Sequence, residues 1–418
     1  MLTRYGRIWK RLDNWASDAA HYRRALAAIF FFALALRVIA ALAHPYYLPD
    51  SADYSALAKA IAAGHAYEVH GQLARRMPGY PIFMAGFYAV LGFHHLPILL
   101  AQALLSALTT LFAAWFGRCV SPATGVLSGM LSALDPLGIG FSASLLTEPL
   151  FTFVFMASLY FLLRAMRNPR QWWLWLWFAV TFAIGVYIRA EVSLCLFPLL
   201  AWGVWVAQGP KGRLESVAGG VSALLIVFVC LLPWWMRNYQ LFHQDFFRFT
   251  TMQGISLYES VYSGATGGPR QSDLVIPRSI ARLNESQRDL AWTHRAFTDM
   301  AEHPGRIIRL AFVKIARTWS PWLHARRYTN KWLNIVLTLW YGPMFLLAII
   351  GLCRCPVRAP LFGILLVPIV YFTLMHAVFL GSVRYRVPVM PLVVVFTAIG
   401  MARSIRRLPD VAVMMESR

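Results

Sequence analysis

Charge is scarce in this chain. Of its 418 residues 14% are Asp, Glu, Lys or Arg, and lysine is confined to Lys10, Lys59, Lys211, Lys314 and Lys331. A soluble domain carries about a quarter of its residues as charges, so an ordinary soluble protein is excluded. Acids are scarcer still: 18 Asp and Glu stand against 39 Lys and Arg, a formal charge of +21. That excess is scattered between apolar runs and forms no stripe or tail, which argues against a nucleic-acid partner. Only five cysteines are present, Cys119, Cys195, Cys230, Cys353 and Cys355. None has CxxC spacing, so neither a disulfide framework nor a zinc site is expected.

What the chain has in quantity is apolar surface. Hydrophobic residues make up 59%, with a mean hydropathy of +0.55, and they fall in runs long enough to cross a bilayer as helices. Ten spans are expected, at 25–44, 97–117, 122–141, 145–166, 172–188, 191–208, 216–236, 333–352, 358–380 and 387–404. The fold class is therefore all-α, a polytopic membrane protein. Residues 78–93, "PGYPIFMAGFYAVLGF", are apolar but short and crowded by Pro78 and Pro81, and they predict an interfacial or re-entrant helix. The basic leader and "ALA" at 41–43 imitate a signal peptide. A run of about 19 residues followed by many further spans predicts a retained anchor instead.

Orientation follows from arginine and lysine in the short connections. With the basic tail 1–24 in the cytoplasm, every inside loop is basic: Arg118, then Arg164, Arg167 and Arg170, then Lys211 and Arg213, then Arg354 and Arg358, and the tail 405–418. Residues 25–236 form a transmembrane module whose first outer loop is 45–96. A long outer loop at 237–332 precedes the closing spans in 333–404. Within it, residues 284–319 show helical spacing of apolar residues and divide at Pro304 and Gly305 into two amphipathic pieces.

The ionisable residues that remain converge on the outer face. Asp50 and Asp53 follow the first span, with Arg75 and Arg76 in the same loop. Glu148 stands at the entry of the fourth span, Arg189 and Glu191 at the turn between the fifth and sixth, and Arg237 at the exit of the seventh. Arg384 and Arg386 fill the last outer turn. Burying such groups in a membrane costs about 2.5–3.5 kcal/mol each on insertion scales, so they read as functional by default. Deeper in the chain, Arg37 either pairs with an acid or snorkels, and Asp135, before Pro136, is either a turn residue or a site acid. Asp53 either shares a helical face with Asp50 or caps a helix starting near Ser55.

A few carboxylates and several arginines at a membrane surface suit a lipid-linked phosphosugar. Its phosphate needs cations, its tail needs the bilayer, and the attacking hydroxyl needs a base. Arginines, or a divalent metal, would stabilise charge developing on the leaving phosphate. No cofactor is fixed by the residues. His65, His70, His94 and His95 lack metal-ligand spacing.

The ordered motifs "LPDSADYSALAKAI", "GQLARRMPGYPIFMAGFYAVLG", "SLLTEPLF", "YIRAE", "PWWMRNYQLF" and "RYRVPVMPL" resemble the polyprenyl-phosphate-sugar-dependent GT-C-type glycosyltransferases. Those relatives include family 39 members, protein mannosyltransferases and lipid A aminoarabinose transferases. The resemblance runs over about residues 25–400. It implies a GT-C fold with about ten transmembrane helices, juxtamembrane helices in the first outer loop, and transfer of one sugar from polyprenyl phosphate to an acceptor hydroxyl with inversion, on the periplasmic side of a bacterial inner membrane. Asp50 takes the position of the base, and Arg237 and Arg384 match positions that contact the donor phosphate. Many relatives have a second acid directly after the first; this chain has Ser51, with Asp53 two residues beyond. The alternative is a transporter or flippase of a lipid-linked or anionic substrate, which predicts charged groups at the midplane and broken helices in repeated halves.

Overall fold

The computed structural model describes residues 4–243, 246–269, 274–324, 331–355 and 359–405; residues 406–418 of the expected C-terminal tail lie outside them. Among the described residues the secondary structure is helical, apart from one isolated bridge between Val69 and Gln72. Seven helices are long and apolar enough to cross a membrane: Ala19–Ala43, Leu96–Arg118, Glu148–Arg167, Gly209–Phe242, Lys331–Arg354, Pro360–Val378 and Val383–Ala402. The protein is an all-helical, multi-pass membrane protein.

Three expected spans take a different form. Residues 122–141 are two helices, Pro122–Ala133 and Pro136–Ser142. The break has a local cause: Pro136 disfavours helical backbone at the residue before it, and Asp135 is extended, its carboxylate accepting the Gly138 N–H at 3.0 Å. Asp135 thus stands in a helix-breaking turn and caps the second helix. Residues 172–188 and 190–206 form apolar helices shorter than the seven; the second opens with a 3-10 segment, Ala190–Cys195, which carries Glu191.

The first outer loop carries two short helices, Pro49–Ala62 and Gly79–Leu91, which pack together with Tyr54 and Tyr80 edge to face at 5.0 Å. The first helix starts at Pro49, where proline's missing N–H costs nothing. Asp50 thus lies in the opening turn. Ser51, buried, accepts the Leu48 N–H at 3.2 Å through its hydroxyl. It therefore closes the helix start directly after Asp50. Gly79 sits against the end of helix Trp172–Ile188: a Cβ there would stand 2.7 Å from the Tyr187 carbonyl oxygen. This close approach brings the loop of Arg75 and Arg76 toward the turn of Arg189 and Glu191.

Between Phe242 and Lys331 the described residues form helices Gln253–Val261, Arg278–Ala281, Glu285–Glu302 and Pro304–Thr318. The last of these holds the turn that precedes the closing helix. Buried Lys314 donates from Nζ to the Val378 carbonyl at 2.7 Å, and Gly381 donates its N–H to Gly267 at 2.8 Å. Burial draws the Lys314 ammonium down to about 8.

Filling the Gly79 approach should be costly. Gly79→Val is expected to destabilise by about 1–3 kcal/mol, the usual cost of overpacking, read as a lower thermal midpoint of the purified protein. An unchanged midpoint would show that the two segments are not in contact.

Candidate active site

The helices converge on a chain of ion pairs in which acids and arginines alternate. Asp53 accepts from Arg75 Nε at 2.9 Å and from Arg76 Nε and Nη2 at 3.1 and 2.9 Å, all on Oδ2. The same Arg76 Nη2 reaches Asp50 Oδ1 at 2.5 Å. Asp50 Oδ2 accepts from Arg384 Nη1 at 2.6 Å, and Arg384 Nε donates to Glu148 Oε1. Arg189 closes the sequence, with Nη1 3.3 Å from Glu148 Oε1 and Nη2 2.9 Å from Glu191. Four acids and four arginines from five separated stretches of chain thus meet in one network.

Burial grades the members. The Glu148 side chain has no exposed surface and Asp53 has 7%, whereas Asp50 keeps 29%. Asp50 is therefore the most accessible acid of the three that face Arg76 or Arg384. Burial by itself would push the Asp50 carboxyl up, but the guanidinium groups of Arg384 and Arg76 overcome this and hold it well below the usual carboxylate range. At Asp53 burial is likewise outweighed, here by Arg75 and Arg76, and its carboxyl is also lowered. Both are anions in the folded protein at neutral pH, and both are held in charge-assisted bonds.

Asp53 does not cap a helix. It stands inside Pro49–Ala62, and its Oδ1 meets His70 Nε2 at 3.0 Å. His70 is a partner the sequence reading passed over. It adopts a left-handed backbone with φ +54°, a conformation in which His is enriched among non-glycine residues, and the adjoining His70–Gly71 turn offered the only signal.

Two predicted arginines lie outside the network. Arg237 donates from Nη2 to the Leu73 carbonyl at 2.9 Å and stacks between Tyr67 and Trp234, 5.5 and 4.7 Å from their ring centres. It braces the backbone just before Arg75. Arg386, fully buried, donates to the carbonyls of Thr318 and Ser320 and lies over the Tyr341 ring at 4.5 Å. It braces the turn that presents Arg384.

A third brace comes from far along the chain. Glu285 accepts the Leu73 and Ala74 N–H groups at 2.7 and 3.0 Å and a hydroxyl bond from Thr251, while Thr251 N–H reaches the Ala74 carbonyl at 2.9 Å. Arg75 and Arg76 thus leave a backbone clamped from two sides. Arg37, inside the first span, pairs directly with no carboxylate among the described residues. Its guanidinium donates to the Ser106 hydroxyl at 2.7 Å and to the carbonyls of Ala33, Ser132 and Ala133. Among the described residues one group has metal-ligand character, Asp299, Glu302 and His303. It stands at the end of an outer helix and contains no member of the ion-pair network.

Residues 75–236 match the family model of dolichyl-phosphate-mannose-protein mannosyltransferases. The match bears out the resemblance to GT-C-type glycosyltransferases that the ordered motifs carry. The matched stretch holds Arg75, Arg76, Glu148, Arg189 and Glu191; Asp50, Asp53, Arg237, Arg384 and Arg386 fall beyond it. A solved structure, that of ArnT from Cupriavidus metallidurans bound to undecaprenyl phosphate, is similar to 93% of this chain and 78% of that chain, at 13% identity and a TM-score of 0.43. No curated protein sequence matches the chain.

The aspartates set a pH signature. Each is more acidic folded than unfolded, so the stability it contributes is whole above its ordinary pKa of about 3.9 and is lost as the pH falls below that toward the folded value. Thermal melting is expected to hold steady down to about pH 5 and to fall toward about pH 3. Asp53→Asn, with one such carboxylate removed, is expected to fall less steeply. A variant curve as steep as the native one would mean that Asp53 is not held by Arg75 and Arg76.

Proposed function

We propose that this protein is a glycosyltransferase that moves one sugar from a polyprenyl-phosphate donor to an acceptor hydroxyl, with inversion, at the periplasmic face of a bacterial inner membrane. Asp50 is the base, and Arg76 and Arg384 hold the donor phosphate, with Arg75, Arg189 and Arg237 behind them. Both termini are cytoplasmic. Residues 25–236 with the outer loop 45–96 carry the chemistry, 237–332 braces it from outside, and 333–404 supplies the last spans. The observation that carries this reading is Asp50 standing between Arg76 and Arg384, one oxygen on each.

In that position one carboxylate can serve two states. In the resting protein it neutralises two arginines. When a phosphate takes the guanidinium N–H groups, an oxygen of Asp50 is released toward the acceptor hydroxyl. The hydroxyl oxygen bonds the anomeric carbon, the bond from that carbon to the phosphate oxygen breaks, and the hydroxyl proton passes to Asp50. The polyprenyl phosphate leaves with the bonding pair. Phosphate is already a good leaving group, so arginines suffice where a glycosidase needs an acid. Asp53, bonded to both Arg76 and His70, orients Arg76. The lowered Asp50 pKa keeps it ionised, and losing its arginines to the donor raises its basicity when the proton must move.

The test supplies purified protein in lipid with a panel of labelled polyprenyl-phosphate sugars and membrane extract. Asp50→Asn is expected to lower the transfer rate by about 10²–10⁴-fold, the usual worth of a positioned base, with the fold intact. Equal transfer by both proteins would remove Asp50 from the mechanism. Movement of uncleaved donor across the bilayer, without sugar transfer, would favour a transporter.

A further inference from the structure

Glu148 has one oxygen without a partner. Its side chain is fully buried; Oε1 takes Arg384 and Arg189, whereas Oε2 has no hydrogen bond among the described residues. Beside it lies a cavity of about 30 Å³, whose polar lining includes Arg37, Ser106, Ser132, Asp135 and Thr152. That space is enough for a water molecule, which needs about 10–15 Å³ and polar partners. Glu148 lines this cavity and keeps one carboxylate oxygen unpartnered among the described residues, so the residue has an oxygen free to carry a proton.

The network supplies a reason for it to do so. Asp50, Asp53, Glu148 and Glu191 balance Arg75, Arg76, Arg189 and Arg384, so the joined side chains hold no surplus positive charge for an incoming anion. Arg384 is already divided between Asp50 and Glu148. If a phosphate draws it away, Asp50 is still partly exposed to solvent, but Glu148, with no exposed surface, is left with Arg189 at 3.3 Å. An underpaired buried charge is strongly unfavourable, and such a group neutralises instead.

We infer that binding of a donor phosphodiester is coupled to uptake of one proton from solvent by Glu148, on the oxygen that has no partner among the described residues. One carboxylate becomes one carboxylic acid as one monoanion enters, so the charge of the site is conserved. The groups facing Glu148 are Arg384 from the last outer turn and Arg189 from the end of Trp172–Ile188, with Asp50 and Glu191 behind those arginines. Arg37 and Asp135 face it across the cavity, and Tyr54 and Tyr80 stand within electrostatic range. Arg37 is spent on the Ser106 hydroxyl and three carbonyls, and Asp135 on Gly138 and Tyr341. This inference rests on the proposed donor site.

The probe is an undecaprenyl phosphodiester with a methyl group in place of the sugar, whose single charge does not titrate near neutrality. Calorimetric binding near pH 7 in buffers of different ionisation enthalpy counts protons directly. The native protein is expected to take up about one proton per probe bound, and its Kd to rise about tenfold per pH unit, as linkage requires. Glu148→Gln, which keeps the shape but holds no proton, is expected to bind with uptake near zero and a flat pH dependence. Binding to the native protein without proton uptake overturns the coupling while leaving the donor site standing, and so does undiminished uptake by Glu148→Gln. Because the native measurement needs no variant, a Glu148→Gln protein that fails to fold leaves it decisive. No binding of the probe to the native protein overturns the donor site and this inference together.

Discussion

One guanidinium holds this site together. Arg384 donates to Asp50 from one nitrogen and to Glu148 from another, and so ties the last outer turn to both the first outer loop and the start of a central span, positions 334 and 236 residues away in sequence. Lysine could not do this. A single ammonium lacks the planar fork that serves two carboxylates in fixed directions. Lysine occurs at only five positions, which accords with a site built on forks, since Arg76 and Arg189 also serve two carboxylates each.

Geometry of that kind needs a rigid frame, and the frame is supplied by residues outside the network. Glu285 and Arg237 grip the backbone at Leu73 and Ala74, and Arg386 grips the carbonyls of Thr318 and Ser320. Each brace ends one or two residues from an arginine of the network. These braces therefore fix directions that short surface loops would leave free. Held in this way, the ion pairs lose little side-chain entropy when they form, which is the usual reason exposed pairs are worth little.

Much of this was legible in the sequence, and the exceptions have physical causes. Apolar runs located the spans, but at 122–141 the hydropathy was continuous through Asp135 and Pro136 while the backbone was not. A proline preceded by a side chain able to cap the next helix divides a run that hydropathy alone joins. The arginines and acids of the outer face were visible by type and place, because charge is so rare among apolar spans. Their pairing was not. Arg237 and Arg386 look like Arg384 in sequence, and only the folded chain separates the one that meets carboxylates from the two that meet carbonyls. Ser51 became intelligible only with the helix start in view, and His70 only with Asp53 beside it. The clamp by Glu285 joins residues more than two hundred positions apart, which no local pattern foretells.

The charge logic also gives the resting site a definite character. Every arginine of the network already has an acid, so a phosphate does not enter an empty cationic pocket but competes for occupied donors. Such a site favours a ligand that brings its own anchoring, as a polyprenyl chain in the bilayer does, over free phosphate in solution. The claim at the centre is that Arg384 and Glu148 act as one unit. The most direct measurement is a double-mutant cycle on sugar transfer with Arg384→Gln, Glu148→Gln and the pair. If they act together, the double variant loses no more activity than the worse single one. If the two losses multiply, the residues work independently and the shared guanidinium is not what the site depends on.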